Sequence, residues 1–194
     1  QNNAIFNMLN MKYFIYPNQQ QQGGAPQYGI NRNALGNAWF LQDLRIVKNA
    51  DSAILALGSL DTKTTGIVES EFAELVGENN GIDSTASVTF DSYHPEKLEY
   101  TSTSSTAGNL VFSEVFYDKG WKSYIDNVEV PHYRVNYLLR GLAVPAGTHK
   151  ITFKFEPETY ALGSTLAIGF GSIIYILIGL SLFVWVRNQL GKNK

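Results

Sequence analysis

Two pairs of carboxylates stand close enough in the chain to suggest acid–base work: Asp91 with Glu96, and Glu114 with Asp118. Cleaving a glycosidic bond needs one acid to protonate the leaving oxygen and a second carboxylate across the sugar ring. Glu114 alternates with Phe112 and Phe116, so on a strand it shares their inward face. An acid on such a face is explained more simply by an ion pair, and Arg134 or Arg140 can supply the cation. The three histidines, His94, His132 and His149, have no HxxxH spacing, and the chain has no cysteine. Nothing therefore predicts a metal site, a disulfide or thiolate chemistry. No GxSxG elbow, phosphate-binding loop or GxGxxG run is present. The segment is read as carrying no catalytic centre, metal or cofactor of its own.

Binding chemistry is better represented. Aromatic side chains make up 13% of the residues, and exposed rings on a β-domain can stack on sugars. Trp121, Tyr124, Tyr133 and Tyr137 are the rings to consider, with core packing as the plainer alternative. Trp121 follows Gly120 at the start of a strand, where an aromatic can plug the end of a sandwich. Asn33, Asn37, Arg134, Asn136 and Arg140 place polar groups beside aromatics. Together with Trp121 and Tyr124 they are the candidate ligand-binding set. A net charge of -2 and a pI of about 5.9 exclude a basic field for nucleic acid.

These side chains need a scaffold, and the pattern is mainly β. Ala4, Ile5, Met8 and Leu9 have helical spacing, and residues 12–16 read as a strand. Residues 17–37 are rich in Gln, Gly and Asn and read as a loop, most mobile over 19–24. Apolar alternation resumes over 39–47. Asn49 or Asp51 caps a short helix that reaches Leu57 and stops at Gly58. Residues 65–69 read as a strand and 71–76 as a helical turn or irregular chain. Short strands are then predicted over 86–91, 97–102, 109–117, 122–125, 133–138, 141–144 and 149–156. Turn signals at His94-Pro95, Ala107-Gly108, Lys119-Gly120, Asp126-Asn127 and Ala146-Gly147 separate them. Evenly spaced short strands of this kind indicate an antiparallel β-sandwich or jelly roll.

From Leu166 to Val186 the chain runs about 21 residues without a charge, enough to cross a ~30 Å hydrocarbon layer as a helix. Tyr160 and Trp185 bracket it as interfacial aromatics. Arg187, Lys192 and Lys194 follow, and basic flanks stay on the cytoplasmic side. The expected organisation is an extracytoplasmic domain over 1–160, a membrane helix over 161–187 and a cytoplasmic tail over 188–194. Gly163, Ala167 and Gly171 fall four apart, a spacing that lets another membrane helix approach closely. The chain begins at Gln1 and not at a methionine, and is read as a fragment or cleaved product of a longer polypeptide, with the export signal upstream if that parent is polytopic.

The run FSEVFYDKGWKSYIDNVEVPHYRVNYLLRGLAVPAGTHKITFKFEP resembles the C-terminal region of the YfhO family of bacterial multi-pass membrane proteins. Its parts are Phe116-Tyr117, Gly120-Trp121, the turn Asp126-Asn127, Asn136 through Gly141, Val144 through His149, and Phe155 to Pro157. Asn33 through Phe40 and Ser92 through Pro95 resemble two further family blocks. Arg32 stands where the family has Pro, and Asn127 where it has Gly. Asn tolerates positive φ, so that turn can survive.

The resemblance implies a parent similar to GT-C glycosyltransferases, which move a sugar from a polyprenyl-phosphate donor to an acceptor outside the bacterial cytoplasmic membrane. It implies that the catalytic acid lies upstream of Gln1. Two roles are then expected for this segment. One is an accessory domain that binds the acceptor glycan or shapes the cleft, which requires an aromatic and polar groove. The other is a non-catalytic module docked to upstream helices or another envelope protein, in which Trp121, Tyr124 and Tyr137 are buried. A self-contained hydrolase ranks well behind both. The lipid bilayer, the upstream helices, other envelope proteins and a glycan are the expected partners.

Overall fold

The computed structural model describes residues 3–17, 26–78 and 83–192. The chain divides into two units, Gln1–Phe155 and Glu156–Lys194. The first unit begins with α1 (Asn3–Met8) and a two-stranded ribbon of β1 (Tyr13–Tyr16) and β2 (Gln27–Ile30). Two larger sheets follow. One has six strands in the order β3 (Ala38–Phe40), β8 (Gly108–Val115), β12 (Leu139–Val144), β11 (Tyr133–Val135), β5 (Thr65–Glu69) and β4 (Asp43–Val47). The other has five, in the order β10 (Val128–Val130), β9 (Trp121–Ile125), β13 (Gly147–Phe155), β7 (Lys97–Ser104) and β6 (Ser87–His94). The mainly β, sandwich-like fold expected of the sequence is the fold observed.

The sheets pack face to face through Leu98, Tyr100, Ile125, Ile151 and Phe153 on one side and Leu110, Phe112, Leu142 and Val144 on the other. Tyr100, Phe112 and Phe153 meet edge to face, with ring centroids 4.8 Å apart for Tyr100–Phe112 and Phe112–Phe153. The opposite face of the six-stranded sheet buries Ile67, Val111, Tyr133 and Val135 against Met8 of α1 and Ala53 and Leu57 of α2 (Ala50–Leu57). This sheet is therefore covered on both faces. That explains why β8 is buried at four successive residues, Asn109 through Phe112, while β7 alternates.

Several elements differ from expectation. Residues 27–30, assigned to a loop, form β2, because they extend β1 as a ribbon too short to show a period. The stretch 19–24, expected to be mobile, lies outside the described residues. The 39–47 run breaks into β3 and β4, and β4 pairs in parallel with β5 through the crossover helix α2. Asn49 caps that helix, its Oδ1 accepting from the Ser52 N–H at 3.0 Å. Residues 70–75 form a 3₁₀ helix. Strand β10 was not foreseen, and β11 stops at Val135 because Asn136 and Tyr137 take φ of 51° and 68°.

The second unit is a single helix, α3 (Glu158–Lys192), of which Leu162–Asn188 is long and apolar enough to cross a membrane. At 1.5 Å per residue, those 27 residues span about 40 Å. Among the described residues, nothing lies within 4 Å of the Cβ positions that Gly163 and Gly171 lack. Ser172 turns its hydroxyl inward, donating to the Ile168 carbonyl at 2.8 Å.

Candidate functional site

A groove of about 560 Å³ opens at the end of the sandwich where β9 begins. Phe72 enters it from the 3₁₀ helix, Phe116 and Asp118 from the β8–β9 connection, Trp121 and Lys122 from β9, and Glu129 and His132 from β10 and the chain after it. Aromatic faces thus share the cleft with two carboxylates, an ammonium and an imidazole.

The rings form a continuous column with cations between them. The Arg134 guanidinium sits 5.6 Å from the centroid of Phe72, and Phe72 meets Phe116 at 5.5 Å. Phe116 meets His132 at 5.5 Å, and His132 meets Phe153 at 5.7 Å. Arg140 lies 5.2 Å from Phe153 and 4.1 Å from Trp121, which in turn meets Phe155 at 5.4 Å. A guanidinium over an aromatic face holds that ring by electrostatic attraction and fixes its tilt.

Arg134 also anchors the groove wall. Its Nε and Nη2 donate to the two oxygens of Glu69 at 2.9 Å each, and Nη2 donates to Glu71 at 3.0 Å. Glu69 is 5% exposed. This fork clamps the start of the 3₁₀ helix and thereby places Phe72.

His132 is held neutral. The Ser123 hydroxyl donates its single proton to the Val130 carbonyl at 2.6 Å. The contact of 3.1 Å between Ser123 Oγ and His132 Nδ1 therefore needs an Nδ1–H donor, which leaves Nε2 as a bare acceptor. Burial, aided by the nearby Arg140 charge, lowers the His132 pKa to about 4. Among the described residues, Nε2 of His132, Nη1 of Arg140 and the Tyr100 hydroxyl are buried without a hydrogen-bond partner. Glu114 stands half-buried in the same region. Desolvation raises its pKa and the Arg140 field opposes that rise. The expected ion pair is replaced by a longer-range interaction: Arg134 is committed to Glu69 and Glu71, and Arg140 donates its Nε to the Val115 carbonyl at 3.0 Å.

Of the residues foreseen for binding, Trp121, Arg134 and Arg140 come together here. Asn136 and Arg140 were expected at the surface, and the structure corrects both. Asn136 is 0% exposed and its Oδ1 accepts from the Ile67 N–H at 2.9 Å, tying the β11–β12 turn to β5. Arg140 is 3% exposed and acts through Trp121. Tyr124 points to the opposite face of β9, under the Lys154 ammonium at 4.8 Å. Asn37 accepts from Asn10 at 2.8 Å, and Asn33 lines a separate cleft of about 420 Å³ with Arg32 and Asp61. Phe72, Phe116 and His132 were missed. Phe116 and His132 alternate with core residues and gave no signal of a groove. Among the described residues, no group of three His, Asp or Glu side chains is arranged to hold a metal ion.

The other family-block residues act as fasteners. Asp126 and Asn127 have φ of 50° and 68° and make a two-residue hairpin turn between β9 and β10. His149 donates Nδ1–H to Asp126 Oδ2 at 2.6 Å and Nε2–H to the Ala146 carbonyl at 3.1 Å, stapling two turns together. Gly141 lies directly opposite Tyr133 across β11 and β12, and a Cβ there would strike the Tyr133 ring.

A β-sandwich with a buried polar cluster, joined to an apolar helix of spanning length, defines a membrane-anchored domain. The chain matches the model of the bacterial membrane protein YfhO over residues 61–167, from just before β5 into α3. It belongs to the YfhO family of bacterial membrane proteins. No curated protein matches the chain, and no solved structure does.

Proposed function

We propose that this chain is an extracytoplasmic accessory domain and membrane anchor of a YfhO-family protein, and that its Trp121 groove binds the glycan acceptor of a lipid-linked sugar transfer. The observation that carries the reading is the groove itself: Phe72, Phe116 and Trp121 beside Asp118, Lys122 and Glu129. Sugars present apolar C–H faces to rings and hydroxyls to charged groups, and this lining offers both. Tyr137 is 41% exposed and Trp121 only half-buried, which favours the groove over a module whose rings are all buried.

The groove's own residues bind and orient and carry no chemistry. Transfer of the sugar belongs to the parent polypeptide in this reading. The test is calorimetric titration of the full chain in detergent with oligosaccharide fragments of the bacterial envelope. Trp121→Ala is expected to weaken binding at least about tenfold, equivalent to about 1.4 kcal/mol. Asp118→Asn, at the exposed rim, tests the polar half without touching the core, and Tyr124→Ala on the far face is the control. Equal affinity for all three variants and the parent sequence would transfer the role to a docking module.

A further inference from the structure

The β1–β2 ribbon presents an apolar face that the other described residues of the domain leave exposed. Tyr13 pairs with Ile30 and Ile15 with Tyr28, and directly opposed residues share a face. These four side chains are 62%, 60%, 74% and 70% exposed, in that order. On the other face Phe14 is partly buried and meets Phe6 of α1 at 5.4 Å, and the Tyr16 ring lies against Gly29 while remaining 53% exposed. All four apolar side chains of the first face are exposed, whereas Phe14 at the centre of the second is packed on α1.

Charge identifies what it meets. No charged residue occurs from Tyr13 to Ile30. Lys12 and Arg32 flank that stretch, and the Lys12 carbonyl accepts from the Asn31 N–H at 2.8 Å, so both cations sit at the base of the ribbon. Both are exposed, and neither has an ion-pair partner among the described residues. Exposed isoleucines and tyrosines bordered by two cations carry the chemistry a bilayer surface selects: acyl chains for isoleucine, the interface for tyrosine and anionic phosphates for the cations. The lipid is also at hand. β13 ends at Phe155 and the spanning-length helix begins at Glu158, so the domain is tethered to the bilayer by a few residues and meets it at high effective concentration.

We propose that the Tyr13, Ile15, Tyr28 and Ile30 face inserts into the headgroup–acyl boundary of the bilayer that holds α3, with Lys12 and Arg32 on the lipid phosphates. The ribbon is then a second, peripheral membrane contact of the chain.

The chain has no cysteine, so single labels are clean. Full-length Ile15→Cys, Tyr28→Cys and Leu55→Cys are labelled with an environment-sensitive fluorophore. They are reconstituted into phosphatidylethanolamine–phosphatidylglycerol vesicles containing lipids spin-labelled near the headgroup. Leu55, on α2, is 78% exposed and serves as the reference for an apolar side chain away from the ribbon. Quenching severalfold stronger at residues 15 and 28 than at 55 is expected. It should weaken in Lys12→Gln/Arg32→Gln chains and when phosphatidylglycerol is omitted. Quenching at 15 and 28 no greater than at 55 overturns the proposal. So does energy transfer between ribbon labels on different chains, which would make a second copy the occupant. Retained thermal unfolding of each labelled chain shows that the readout comes from folded protein.

Discussion

His132 and His149 titrate in opposite directions, each for a cause visible at the level of single atoms. His132 has a bare Nε2 in a buried setting, and its pKa falls to about 4. In the unfolded chain it returns to about 6.5. Between those values the unfolded state takes up a proton that the folded state refuses, so stability is full above about pH 6.5 and is lost as pH falls towards 4. The loss is on the order of 3 kcal/mol. His149 has acceptors at both ring nitrogens, so both must carry hydrogen. Its hydrogen bond to Asp126, then that to Ala146, raise its pKa. Its contribution is present below about pH 6.5 and disappears as pH rises through the elevated folded value. Thermal melts of His132→Phe should be flatter than those of the parent sequence between pH 4 and 6.5. A proton-NMR titration that places His149 at or below 6.5 would contradict the doubly donating staple.

The same scale shows what the sequence could reveal of the groove. Trp121 after a glycine at a strand start was legible, because local chain direction sets its position. Phe72 was not, since it reaches the groove only through the Arg134 fork on Glu69 and Glu71, 65 and 63 residues away in the chain. Asn136 and Arg140 carried the right chemistry but the wrong exposure. Turn geometry and the Trp121 ring, neither of which shows in spacing, draw them inside.

Among the elements, length decided what could be read. β7 and β13, with eight and nine residues, alternate or show apolar runs long enough to identify. β2 and β10, with four and three, do not. The parallel β4–β5 pair was hidden for another reason: its crossover helix was recognised, but a crossover does not announce which strand its return will join. Turns were the most legible elements, because dihedral requirements restrict residue type. Asn127 sits at φ 68°, so Asn127→Gly should change the unfolding free energy by less than about 0.5 kcal/mol, whereas Asn127→Val should cost about 1–2 kcal/mol. Tyr137 also has φ 68° while 41% exposed. Tyr137→Gly should then be neutral or stabilising by up to about 1 kcal/mol. Chemical denaturation of the three variants measures all of this. A Tyr137→Gly chain that is clearly destabilised would show that the ring contributes packing the turn depends on.

At the scale of the whole molecule, the polar domain and the apolar helix suit different solvents, and charge predicts an orientation that labelling can test. The span Leu162–Asn188 contains one charged residue, Arg187, at its C-terminal end, and Lys192 and Lys194 follow. Moving such a cluster across a bilayer costs far more than retaining it on the side of synthesis, so the tail should be cytoplasmic and the sandwich extracytoplasmic. The absence of cysteine makes the test direct. Leu55→Cys in the domain and Lys192→Cys in the tail, each expressed in intact bacterial cells, are exposed to a membrane-impermeant maleimide before and after lysis. Leu55→Cys should label in intact cells whose outer layers admit the reagent, and Lys192→Cys only after lysis. The reverse pattern would place the groove on the cytoplasmic side, away from an acceptor outside the membrane, and the glycan reading would fail with it. Labelling of both positions before lysis would mean that α3 does not span at all, leaving the ribbon face as the chain's main membrane contact.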